Sequence, residues 1–256
     1  MKLNYKSTEL FYTTKGTGNP LVFLHGFLES TKIWEPFIEK LSAKRQVICI
    51  DLPGHGQSGN ISEIHTMELM ADAVEAILQH LKIKQTSLVG HSMGGYVSLA
   101  FMEKFPEMTK SLVLMNSTPA EDSAERKINR DRSINIVRKN KKAFVSMAIS
   151  NLLPPENHFK FITELEELKN QAFQMSEEGI IAALKGMKIR TNRNSLLRDF
   201  INSKFLILGA NDPVLSITTT KKIGIYCKCE IILTRNGHLS YMENYTEIEE
   251  FLHFID

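Results

Sequence analysis

The sequence predicts an α/β fold: a mostly parallel central sheet with helices on both faces and a helical segment inserted between two strands. Three observations carry this. Continuous apolar runs recur at Leu21–Leu24, Val47–Ile50, Leu112–Met115 and Phe205–Leu208, and unbroken apolarity rather than alternation marks strands covered on both faces. Helix-patterned stretches separate these runs, as parallel pairing requires. The 256 residues suffice for one large domain with a substantial core.

Composition narrows the function classes. With 31 basic and 29 acidic residues the formal net charge is +2, so no overall field favours nucleic acid or an anionic membrane. Met1–Ser7 holds no apolar core of signal-peptide length and no later run approaches a membrane span. A cytoplasmic protein acting on small molecules is expected. Among the three cysteines, Cys49 lies in an apolar run, and the single residue between Cys227 and Cys229 suits neither a disulfide framework nor a zinc pair. All three read as free thiols.

Taken in order, the chain opens with a hairpin over residues 3–14, patterned by Leu3, Tyr5, Leu10 and Tyr12 and ended by Lys15–Pro20. The first buried strand, Leu21–Leu24, runs into His25-Gly26-Phe27, where Gly26 permits a tight turn and His25 braces the loop from behind. A helix follows from about Thr31 to Leu41, then the strand Val47–Ile50. Asp51 heads the Pro/Gly turn that continues to Ser58, where a carboxylate caps backbone N–H groups. Asp51 and His55 are therefore read as structural. Thr66 caps a helix whose apolar positions, Met67, Met70, Ala71, Val74, Ile77, Leu78 and Leu81, keep helical spacing.

The stretch Gly90-His91-Ser92-Met93-Gly94-Gly95 joins an apolar strand to a helix through a serine with glycines at i−2 and i+2. The steric cause is a reversal from strand to helix within a few residues, which strains Ser92 and brings Gly90 against Gly94. That turn exposes the hydroxyl at the C-terminal edge of the sheet and aims helix N-terminal N–H groups at whatever binds. The backbone N–H groups of Met93 and Phe27 form the expected oxyanion hole. After the strand Leu112–Met115, Asn116 offers no acid.

Residues 119–200 change character. They are rich in Lys, Arg and Asn, are broken at Leu152-Leu153-Pro154-Pro155, and contain helix-like stretches without a buried strand. An insertion of this length reads as a lid on a core made of residues 1–118 and 201–256. Its apolar residues, such as Phe144, Met147, Phe159, Leu184 and Met187, are expected mostly to pack on one another, a few lining a pocket. Arg126, Arg130, Arg132 and Arg138 read as a solvated face. The parallel pattern resumes at Phe205–Gly209, followed by Asp212-Pro213; the strand Glu230–Leu233, the turn Asn236-Gly237-His238 and a C-terminal helix with Ile248, Phe251, Leu252 and Ile255 complete the chain.

Ser92, Asp212 and His238 thus stand in chain order, each just beyond a predicted strand. With His25-Gly26-Phe27, Asp51–Ser58, Gly90–Gly95, Gly209–Val214 and Gly237-His238, the chain resembles the α/β-hydrolase superfamily along nearly its full length. The resemblance implies a serine hydrolase in which His238 deprotonates Ser92, Asp212 orients His238, and no metal or organic cofactor is needed. A serine nucleophile argues against the dehalogenase and epoxide-hydrolase branches, which place aspartate there. The leading expectation is hydrolysis of a small or medium carboxylic ester through an acyl-enzyme.

Three other readings use the same residues. Phe23–Phe27 and Asp51–Gly56 are similar to the menaquinone-pathway synthases that form SHCHC by eliminating pyruvate. In that lyase family an arginine follows the glycine pair; Tyr96 stands there here, and Arg126 or Arg130 could supply the charge instead. A lactonase or C–C hydrolase is compatible with the triad, as is a small-ligand receptor that retains it.

Overall fold

The computed structural model describes residues 1–255. Eight strands form its centre: β1 (Lys2–Tyr5), β2 (Thr8–Lys15), β3 (Asn19–Leu24), β4 (Arg45–Ile50), β5 (Thr86–His91), β6 (Thr109–Met115), β7 (Lys204–Gly209) and β8 (Glu230–Thr234). They lie in one sheet in the order β1-β2-β4-β3-β5-β6-β7-β8. The β1–β2 hairpin and the β2–β4 pair are antiparallel, and every pair from β4 to β8 is parallel. Successive side chains of a strand point to opposite faces. Leu21, Val22, Phe23 and Leu24 are all 0% exposed, so both faces of β3 are covered, as the apolar runs predict.

The helices of the core are α1 (Glu35–Leu41), α2 (Met67–His80) and α3 (Met93–Lys104). Thr66 caps α2 by accepting from Leu69 N at 3.1 Å, and Met67, Met70, Val74, Ile77 and Leu78 are buried. The two methionines are core filling. A 3₁₀ turn at Thr31–Trp34 leads into α1 and sets Trp34 against Phe23, ring centroids 4.9 Å apart.

Four helices connect β6 to β7: α4 (Ala124–Ser150), α5 (Ile162–Phe173), α6 (Glu177–Ile189) and α7 (Asn194–Asp199). The long α4 is broken at Asn140, whose backbone is non-helical (φ −159°, ψ 83°) and whose Oδ1 caps the next turn through Ala143 N at 2.9 Å. Phe144 is buried, whereas Phe159 is 89% exposed and departs from the expected mutual packing. After β7 come α8 (Ile217–Tyr226), unmarked in the sequence because its Ile/Thr-rich stretch has poor helix propensity, then α9 (Ser240–Glu243) and α10 (Tyr245–His253). Ile255 is buried beyond the end of α10. Among the described residues no helix is long and apolar enough to cross a membrane.

Candidate active site

Strand β5 ends at His91 and α3 starts at Met93, so the chain reversal falls on Ser92, at φ 48°, ψ −110°. A non-glycine residue there costs on the order of 1–3 kcal/mol and persists only when its surroundings over-determine it. Here they do. Ser92 N–H donates to Met115 O at 2.9 Å, and the Ser92 carbonyl accepts from Gly95 N at 3.0 Å and Ser117 Oγ at 2.7 Å. A Cβ on Gly90 would stand 2.5 Å from Gly94 C, and one on Gly94 2.2 Å from Leu24 O. Only glycine permits these contacts.

The loops after β5, β7 and β8 bring Ser92, Asp212 and His238 together. The Ser92 hydroxyl lies 3.0 Å from His238 Nε2, and His238 Nδ1 lies 2.8 Å from Asp212 Oδ2. A carboxylate can only accept, so Nδ1 carries the proton and Nε2 is left to accept from the hydroxyl. Asp212 Oδ1 also accepts from Val214 N at 2.8 Å and Leu215 N at 2.9 Å. Asn116 Nδ2 donates to Asp212 Oδ2 at 3.1 Å and to Gly237 O at 3.0 Å. Burial alone would raise the Asp212 carboxyl; His238 and the hydrogen bonds from Leu215 and Asn116 outweigh it and hold the group below its ordinary value.

Among the described residues neither the Phe27 N–H nor the Met93 N–H is spent on a protein acceptor. The loop carrying Phe27 is braced as expected. His25 Nδ1–H donates to Gly26 O at 2.7 Å, and its Nε2 accepts from Leu52 N at 3.0 Å. Burial lowers the His25 pKa, in keeping with a neutral ring that both donates and accepts. Asp51 accepts from Thr31 N at 2.7 Å and Gln57 N at 2.8 Å, and buried His55 donates to Pro53 O at 3.2 Å. Both are structural.

A second network, behind Ser92, is not evident in the sequence. Glu29 Oε2 accepts from Gly26 N at 2.6 Å and from His91 Nδ1 at 2.9 Å, while its Oε1 accepts from Tyr241 OH at 3.1 Å. His91 Nε2 faces His238 O at 2.9 Å. Both ring nitrogens therefore face acceptors, so His91 is an imidazolium paired with the Glu29 carboxylate. Burial would lower the His91 pKa, but the adjacent Glu29 charge and hydrogen bond raise it above its ordinary value. Burial would likewise raise Glu29, and the His91 charge instead holds it low. One ion pair thus ties the Gly26 loop to the backbone of His238.

A cavity of about 260 Å³ opens on Ser92 and His238, with Phe27, Phe144, Met147, Leu152, Leu184 and Met187 as its apolar wall. Five of these six come from the segment between β6 and β7, four of them from α4 and α6 and Leu152 from the turn after α4. The solvated-face reading of the arginines holds for Arg132 and Arg138, which are exposed, but not for Arg126 and Arg130, which line the cavity. Arg126 and Arg130 stand four residues apart on one face of α4, and local sequence does not reveal that this face meets the site.

Comparison with known proteins bears on this arrangement. Residues 19–245 match the family model for the alpha/beta hydrolase fold. The chain is 42% identical over 99 residues to the uncharacterized hydrolase YugF of Bacillus subtilis, covering 38% of this chain and 36% of that one. The curated relatives matched most strongly are thus aligned over well under half their length. Among solved structures, a thermophilic esterase from Thermogutta terrifontis in a malate-bound form superposes with a TM-score of 0.90 at 28% identity, covering 96% of this chain and 92% of the other. The enol-lactonase of Burkholderia xenovorans LB400, at 17% identity and a TM-score of 0.90 over 98% of both chains, shares the fold. With most of its length, from β3 to the start of α10, accounted for by one family model, the chain belongs to the alpha/beta hydrolase fold family.

Proposed function

We propose that this hydrolase is a serine esterase cleaving a small or medium carboxylic ester, with Ser92 as nucleophile, His238 as general base and acid, and Asp212 as its orienting partner. The observation that carries the reading is the pair of hydrogen bonds from Ser92 to His238 and from His238 to Asp212, 3.0 and 2.8 Å long, beside a cavity. His238 Nε2 takes the hydroxyl proton as Oγ attacks the ester carbonyl, and the same proton then passes to the departing alkoxide. Water, deprotonated by His238, attacks the acyl-Ser92 and releases the acid. The N–H groups of Met93 and Phe27 hold the oxyanion of each tetrahedral intermediate, a contribution of about 2.7–4 kcal/mol per donor in comparable sites.

The helices from α4 to α7 act as the lid of the core. At about 260 Å³ the cavity lies just below the ~300–1,000 Å³ range of drug-sized ligand pockets, which favours short acyl and alcohol groups. The esterase from Thermogutta terrifontis, alike over nearly the whole of both chains, supports the same class of substrate. A p-nitrophenyl ester series from acetate to long-chain acyl, assayed on wild type and Ser92→Ala, tests the reading. Turnover that peaks at short chains and disappears in the variant is expected. Turnover that survives Ser92→Ala, or none across the series, would refute it.

A further inference from the structure

We infer that Arg126 and Arg130 of α4 form an anion subsite in the cavity beside Ser92, and that the ester processed there carries a free carboxylate remote from the carbonyl under attack. The inference rests on the serine-esterase reading and specifies its substrate class. The charge balance of the cavity wall is its basis. Arg130 Nε donates to Asp122 Oδ2 at 3.0 Å, and Arg190 Nη1 takes the other oxygen of that carboxylate at 2.6 Å. Arg126 donates one Nη2 hydrogen to Val214 O at 2.7 Å, and among the described residues no carboxylate pairs with it. Two guanidinium groups therefore share one carboxylate, and the third has none.

The excess charge sits where it acts strongly. Arg190 is 4% exposed, its Nη2 has no hydrogen-bond partner, and its guanidinium lies 4.1 Å from the centroid of the Tyr96 ring, itself part of the cavity wall. Nearby, the Glu29 and His91 charges cancel. Arginines serving only solubility reach into water, as Arg132 and Arg138 do from the same helix. Arg126 and Arg130 are instead half-buried against apolar groups, where an unmatched positive charge is costly alone and strongly attractive to an anion. Each guanidinium has five N–H donors in a fork that matches a carboxylate, and each spends one on the protein. The small cavity limits the partner to a short chain, such as the monoester of a C4 or C5 dicarboxylic acid. Its carboxylate takes no part in bond making.

Monoethyl succinate and its uncharged counterpart ethyl butyrate, followed by pH-stat, test the inference on wild type, Arg126→Gln, Arg130→Gln and Arg132→Gln. The wild type is expected to prefer the charged ester in kcat/KM by about tenfold or more, the size of one charge-assisted hydrogen bond, with the difference mainly in KM. That ratio falls towards one in Arg126→Gln and in Arg130→Gln whatever their absolute rates, and keeps its wild-type value in Arg132→Gln. Succinate inhibits the wild type competitively and the first two variants more weakly. A wild-type ratio near one would overturn the inference. So would a ratio unmoved in both variants while both esters slow together, the outcome if Arg126 merely ties α4 to the Asp212 loop. Failure of the esterase reading is distinct: neither ester turns over and a phosphonofluoridate leaves Ser92 unlabelled, which removes the subsite with it.

Discussion

Replacing Glu29 with glutamine perturbs the hydrogen-bond network behind Ser92, at a carboxylate that takes no part in bond making. The carboxylate accepts three hydrogen bonds, from Gly26 N, His91 Nδ1 and Tyr241 OH, at 2.6, 2.9 and 3.1 Å. The side chains of the Glu29–His91 pair are 2% and 1% exposed. Removing one partner of such a buried pair costs about 3–5 kcal/mol, because the other charge is left uncompensated. In a domain of this size each kcal/mol moves Tm by roughly 2–4 °C, so Glu29→Gln should melt about 6–20 °C below wild type near pH 6. The neutral variant also loosens the Gly26 loop and the His238 backbone together, and kcat on a neutral ester should fall about tenfold, an effect of about 1.4 kcal/mol on the barrier.

The pH dependence has a defined sign. His91 is raised above its ordinary 6.5, so its contribution is complete below that pH and is lost as pH rises through the raised value. Glu29 is lowered below its ordinary 4.5, so its contribution is complete above that pH and is lost as pH falls through the lowered value. The stability gap between wild type and variant should therefore be widest between pH 4.5 and 6.5 and narrow on both sides. Calorimetry across the pH range reads it directly. A gap under about 2 °C at every pH, with kcat unchanged, would refute the ion-pair reasoning.

Other perturbations address single contacts. Asp212→Asn should lower kcat by about 10⁴ without unfolding the chain, as loss of the orienting acid does in comparable triads; a loss under tenfold in steady-state assays would contradict its role. Asn116→Ala removes donors to Asp212 and Gly237 O at a left-handed position (φ 47°), and should cost about 1.5–3 kcal/mol in urea unfolding. Gly94→Ala places a Cβ 2.2 Å from Leu24 O, backbone that cannot step aside; the variant should lose about 3 kcal/mol or more, read as a shifted unfolding midpoint or an insoluble chain.

The fold was legible because parallel strands covered on both faces leave an unmistakable trace, the continuous apolar runs of β3, β4, β6 and β7, and because the elbow glycines after β5 are sterically compulsory. Ser92, Asp212 and His238 were legible through their order and their places at strand ends. Glu29, His91 and Tyr241 were not. Their partnership joins positions 29, 91 and 241, and each residue alone is a commonplace polar group whose burial appears only once the loops close over it. Asn116 was noticed for the acid it is not, whereas its amide serves the acid that comes from β7. Arg126 and Arg130 share a helix with Arg132 and Arg138, and local sequence treats the four alike. Their angular positions on the helix separate them: Arg126 and Arg130, four residues apart, share the face that meets the cavity, and Arg132 and Arg138 lie exposed off it.

Covalent trapping identifies the nucleophile. Incubation with an excess of phosphonofluoridate, followed by peptide mass spectrometry and residual ester hydrolysis, reports nucleophile and activity in one sample. A single adduct on Ser92 is expected, formed in step with loss of activity and greatly slowed in His238→Ala. An adduct on another residue, or ester hydrolysis that persists after Ser92 is fully modified, would contradict it.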